Sequence, residues 1–244
     1  MKIINIGNNV VNNYILETDK GYVVIDTGYP GSYPGFSEGL KKTGIDKQEI
    51  KFIFITHVHD DHVGFLNELI SDTHATIIMH EESPGRLLTG HNKYAGGCPN
   101  LFAKIFLKIL SLAGKGKHEF PVVKLNETDN VILWNGENQF FKQSGIGLEI
   151  IAFPGHTSDS IGLLTDDGIL LCGDACMNDF PSLKRNILWI ENLEDYKKSW
   201  DKMIGGPAKE IYPSHGSPFP KTDLIKYRSN LNKIKLYKTE LSQE

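Results

Sequence analysis

Residues 52–64 read FIFITHVHDDHVG, and they set three histidines and two aspartates directly behind a run of β-branched and aromatic residues. The run has the length and composition of a strand buried on both faces. The ligand-type side chains therefore begin where a rigid sheet edge stops, the position from which loops carry chemistry. Imidazole and carboxylate are donors that suit divalent zinc, and also iron or manganese. His57, His59, Asp61 and His62 supply four of them within six positions. In extended backbone alternate residues point the same way, so His57 and His59 reach one ion together. Asp61 and His62 follow where the chain turns into a helix and aim at a second point, a spacing that permits two ions.

Working outward, four more apolar runs end in the same manner. YVVID leads into Thr27-Gly28, EIIAFP into Gly155-His156, GILLC into Gly173-Asp174 and EIYPS into His215-Gly216. One cluster cannot complete two coordination spheres, and His156, Asp174 and His215 are the donors that distant sequence offers. Taken singly they read as loop or capping residues, and their order behind strand-like runs is what raises them to ligands. Asp174 has two oxygens and can bridge two cations. On this reading His57, His59 and His156 hold one ion, and Asp61, His62 and His215 the other.

Helical spacing marks Phe36 to Lys42, Asp60 to Ile70 and Leu193 to Ile204. Two hairpins are expected, NNYILETDKGYVVIDTG closed by Asp-Lys-Gly and VILWNGENQFF around Asn-Gly. Mixed sheets covered by helices follow from that alternation. With 244 residues, 40% of them hydrophobic, and no repeat or linker, the chain reads as one domain over 1–244. An insertion at about 81–120 carries the loop-like GGCPN and then LFAKIFLKILSLAG, an amphipathic helix too short to span a bilayer. Two roles beyond packing on its own domain are open for it, a lid over substrate and a contact between two copies of the chain.

A formal charge of −4 and a pI near 6.1 give no broad attraction to nucleic acid or to anionic lipid, so a small-molecule substrate is the expected partner. No apolar run approaches membrane-spanning length, and no membrane partner is expected. Three cysteines, an odd number without paired spacing, suggest a reducing, cytoplasmic setting.

Asp26 in DTG, HVHDDH as an H-x-H-x-D-H signature, PGHT, GD and SHG together resemble, in order and over most of the chain, the metallo-β-lactamase superfamily. That resemblance implies an α/β fold, an αβ/βα four-layer sandwich of two mixed sheets with the metals at one edge. It also implies that Asp26 supports the site by hydrogen bonding. Members with a cysteine ligand carry it where Asp174 stands here, and Cys172 and Cys176 read as packed thiols. The expected cofactor is a pair of divalent ions, zinc first, with iron or manganese as alternatives. The expected reaction is attack by metal-bound hydroxide on an ester, lactone or thioester, with Asp61 orienting the water or passing its proton. The alternatives are a phosphodiesterase or nuclease, an iron oxygenase, and a binding module that keeps the fold without turnover.

Overall fold

A computed structural model of the chain describes residues 1–114, 116–137 and 139–239. Lys115, in the expected insertion, and Asn138, in the second expected hairpin, lie outside the described residues. The chain divides into two compact units, Met1–Asn92 with Glu119–Glu149, and Lys93–His118 with Ile150–Glu244. It passes from one to the other three times, after Asn92, after His118 and after Glu149.

The first unit holds a sheet of six strands in chain order: β1 (Ile3–Asn5), β2 (Tyr14–Thr18), β3 (Gly21–Ile25), β4 (Ile50–Phe54), β5 (Thr76–His80) and β6 (Val131–Trp134). β2 and β3 form the hairpin that Asp-Lys-Gly announces, with Thr18 opposite Gly21. From β3 onward the strands are parallel. Parallel neighbours need crossovers, and the helices Tyr33–Thr43 and Leu66–Thr73 lie on two of them. Their apolar stripes, Phe36 with Leu40 and Leu66 with Leu69, pack on Ile15, Val24, Ile53 and Ile77. Spacings of three and four residues place each pair on one helical face.

Two local expectations need correction. The helix expected over Asp60–Ile70 is two helices, Asp60–Val63 and Leu66–Thr73. At Gly64 the amide donates to the Gly28 carbonyl at 3.0 Å, and a Cβ would stand 2.3 Å from the Pro30 nitrogen. Phe65 turns inward there onto Phe36, ring centroids 5.2 Å apart. VILWNGENQFF is not a hairpin. Its first half, β6, pairs in parallel with β5, and Phe140–Gln143 is a helical turn whose two phenylalanines meet Phe52 of β4. Burial of that aromatic pair against the sheet wins over strand pairing.

The second unit, which begins again at the third residue of β7 (Leu148–Ala152), holds β8 (Ile161–Thr165), β9 (Ile169–Gly173), β10 (Glu210–Pro213) and β11 (Phe219–Pro220), and the five strands run in the order β11-β10-β9-β8-β7. β9 and β10 are parallel, and the helix Leu193–Gly205 lies on their crossover. Asn192 caps that helix, accepting from the amides of Glu194 and Asp195. Tyr196, Trp200 and Met203 from it fill the core with Phe153, Leu170 and Ile211. The insertion helix, Leu101–Leu112, also belongs to this unit, and its Ala103 packs with Cys98 and Trp189. The architecture is two mixed sheets flanked by helices. Among the described residues no helix is long and apolar enough to cross a membrane.

Candidate metal centre

In the first unit β4 ends at Phe54, and a loop that bends at Thr56 and is extended at His59 leads into the helix Asp60–Val63. His57 and His59 lie with ring centroids 4.8 Å apart, and His57 and His62 with centroids 4.0 Å apart. All three rings and Asp61 are buried. Imidazoles this deep need partners that settle their protonation.

Asp26 supplies two of them. It follows β3 in the left-handed region, φ 58°, which residues other than glycine seldom take. Its carboxylate accepts from the Thr56 amide at 2.7 Å, from the Thr56 hydroxyl at 2.7 Å and from His62 Nδ1 at 2.9 Å. The Thr56 oxygen gives its proton to Asp26 and so accepts from His57 Nδ1, 3.0 Å away. One buried carboxylate thus puts the ring proton of both histidines on Nδ1 and leaves Nε2 as the donor atom toward a ligand. His62 Nε2 lies 3.5 Å from Asp61 Oδ1.

In the second unit β9 ends at Gly173 and presents Asp174. One oxygen of Asp174, Oδ2, lies 3.6 Å from His156 Nε2 and 3.4 Å from His215 Nε2. His156 Nδ1 donates to the Trp189 carbonyl at 2.8 Å, and because a carbonyl only accepts, Nε2 again carries the lone pair. His156 owes its place to Gly155, whose φ is 130° and whose Cβ, if present, would stand 2.2 Å from the Tyr196 nitrogen. His215 follows β10, and its carbonyl accepts from the Asn178 amide at 2.9 Å.

Separations of 3.4 to 3.6 Å between a carboxylate oxygen and an imidazole nitrogen are long for a hydrogen bond. They match two ligands of one tetrahedral ion, since bonds of ~2.0–2.2 Å place neighbouring donors about 3.4 Å apart. The chemistry of the donor set fits a divalent cation, and the His and Asp side chains form groups able to hold one. Cys172 and Cys176, with sulfurs 3.4 Å apart, are buried free thiols, and burial pushes Cys176 up from its ordinary range.

Three supporting groups lie outside the motifs read from the sequence. Thr56 and the Trp189 carbonyl orient histidines from positions that no motif marks. Asn92 clamps Asp60, accepting from its amide at 2.8 Å and donating to its carboxylate at 2.7 Å. A hydrophilic residue directly before a ligand histidine is a usable signal for Thr56, whereas the other two arrive from loops far along the chain.

The family model of the metallo-beta-lactamase superfamily matches residues 6–215. A beta-lactamase-like protein 2 homolog of Drosophila melanogaster is 24% identical over 84% of this chain and 58% of its own length. The probable metallo-hydrolase YflN of Bacillus subtilis is 24% identical over 87% of this chain and 83% of its own. Against the first three curated relatives the chain spans 58, 61 and 55% of their length. A solved variant of a Cronobacter sakazakii metallo-beta-lactamase shares the fold at a TM-score of 0.68 and 16% identity, covering 95% of this chain and 89% of that one. The matched span includes Asp26 and runs to His215, and the chain belongs to the metallo-beta-lactamase superfamily.

Proposed function

We propose that the protein is a metal-dependent hydrolase that cleaves an ester, lactone or thioester of a small molecule at a pair of divalent ions, zinc first, with iron or manganese as alternatives. In this reading His57, His59 and His156 hold one ion, Asp61, His62 and His215 hold the other, and Asp174 joins both spheres. Each ion would then have three side-chain donors of its own, the number typical of catalytic zinc, beside the shared Asp174. The observation that carries the reading is donor spacing, with carboxylate oxygens 3.4 to 3.6 Å from the Nε2 atoms of His62, His156 and His215.

When bound, such ions acidify a water molecule and polarise the carbonyl under attack. The protein's own residues do the rest. Asp26, acting directly on His62 and through Thr56 on His57, keeps those imidazoles in the tautomer that leaves Nε2 for coordination. The Trp189 carbonyl does the same for His156. Asp61, at the start of its helix, orients the attacking water or receives its proton. No side-chain nucleophile is required, and the cysteines stay out of the chemistry. The name of YflN, a probable metallo-hydrolase, points the same way. Three buried thiols without a disulfide support a cytoplasmic setting.

The test is metal analysis of the purified protein beside a panel of lactones, thioesters, β-lactams and phosphodiesters. Close to two transition-metal ions per chain are expected. His57→Ala and Asp174→Ala should abolish hydrolysis while circular dichroism stays that of the parent. A metal-free preparation hydrolysing at full rate would sink the proposal.

A further inference from the structure

The second unit leaves one helix half uncovered. Leu101–Leu112 is capped by Asn100, which accepts from the Ala103 amide at 2.8 Å. It is held just upstream by Gly97 and Cys98, which exchange backbone hydrogen bonds with Ile190 and Tyr237. Ala103 and Leu107 pack toward Cys98 and Trp189. The opposite face carries Leu101, Phe102, Ile105, Ile109 and Leu112, which are 53, 43, 48, 58 and 80% exposed. At 100° per residue those five side chains fall within an arc of about 100°. The stripe continues onto the neighbouring loop, where Phe180 is 72% exposed with its ring 6.0 Å from that of Phe102.

Charge decides what covers this face. Residues 93–118 hold five lysines and no aspartate or glutamate, in a chain whose formal charge is −4. Lys104 and Lys108 border the apolar arc on one side, and Lys93 and Lys117 are exposed near the two ends of the segment. The acid beside Phe180, Asp179, accepts from the Phe180 amide at 2.7 Å. A second copy docked antiparallel on this face by twofold symmetry would set the two basic borders against each other. An anionic lipid surface meets both features: apolar side chains enter between headgroups while the lysine stems lie along the boundary with their ammonium groups outward.

We propose that the helix Leu101–Leu112, with Phe180, is an interfacial anchor by which the protein docks on anionic lipid membranes without crossing them. The expectation of no membrane partner averaged over the whole chain a charge that is concentrated here. The proposal is independent of the hydrolase reading, since none of these residues is a metal donor.

The test is flotation of the full chain with vesicles of phosphatidylcholine alone and with roughly a third phosphatidylglycerol. Binding to the anionic vesicles is expected, falling at least about tenfold in the double variant Ile105→Glu/Ile109→Glu and in about 1 M salt, where charges are screened within ~3 Å. Both substituted positions face solvent, and circular dichroism and sedimentation check that the variant is folded. As a second readout, the fluorescence of an Ile109→Trp variant should shift to the blue on anionic vesicles. Absence of binding, or binding undiminished in the double variant, overturns the proposal. So does a dimer that the double variant dissociates without any lipid binding in the parent.

Discussion

Replacing Asp26 by asparagine tests the core of the metal-site reading. One oxygen of this carboxylate accepts from both the Thr56 hydroxyl and His62 Nδ1, and the other accepts from the Thr56 amide. If the new side-chain amide keeps its oxygen toward the Thr56 N–H, its NH₂ group faces two donors. The His62 proton then loses its acceptor, and the Thr56 hydroxyl loses the partner that orients it toward His57. Hydrogen bonds to a charged group are worth ~1.5–3 kcal/mol each. Loss of such supports around metal-ligating histidines costs about 10- to 100-fold in affinity, or ~1.4–2.8 kcal/mol. The assay is competition for zinc against a calibrated chelator, with urea unfolding of the metal-free protein alongside. Thr56→Val interrupts only the relay to His57 and should weaken zinc less, by about tenfold. A folded Asp26→Asn protein that binds zinc as tightly as the parent would refute the reasoning.

Four further outcomes are expected. Gly155→Ala places a methyl 2.2 Å from the Tyr196 nitrogen at φ 130° and should cost about 3 kcal/mol in urea unfolding. Gly145→Ala, at φ 71° with open space around it, should cost only about 1 kcal/mol from backbone strain. Cys98 is buried and its thiol is pushed up to about 11, so in native protein at pH 8 it should react with a disulfide reagent only after denaturant is added. Saturating chelator should lower the midpoint of thermal unfolding in the parent and lower it much less in the His57→Ala/Asp174→Ala double variant, because a ligand that binds only the folded state stabilises it by mass action.

Much of the fold could be read where periodicity and turn chemistry agree. Asp-Lys-Gly closes β2 onto β3, and the five strands read from YVVID, FIFIT, EIIAFP, GILLC and EIYPS all form. The helix after Asn192 begins at Leu193, as its spacing implies. Reading failed where side-chain burial outweighed local signals. Asn-Gly at 135–136 suggested a return strand, but Phe140 and Phe141 take a helical turn against Phe52. Gly64 broke a helix because of the Gly28–Pro30 loop, 34 to 36 residues earlier in the chain. The candidate donors could be picked out because metal chemistry restricts residue type and each group of them follows a strand. Their supports were less so, since a backbone carbonyl such as that of Trp189 leaves no trace in sequence.

The threefold passage of the chain between its units bears on how the protein can be divided. Cleavage between Glu149 and Ile150 yields an N-terminal fragment that carries Leu101–Leu112 but lacks Trp189 and Tyr237, the residues that seat that segment. That fragment keeps the whole of the first unit but leaves its segment 93–118 without a seat. During synthesis the same segment waits for Trp189 to emerge, with its apolar side chains available to chaperones. A break at Asp19-Lys20, in an exposed tight turn, by contrast leaves Leu101–Leu112 on the same piece of chain as Trp189 and Tyr237.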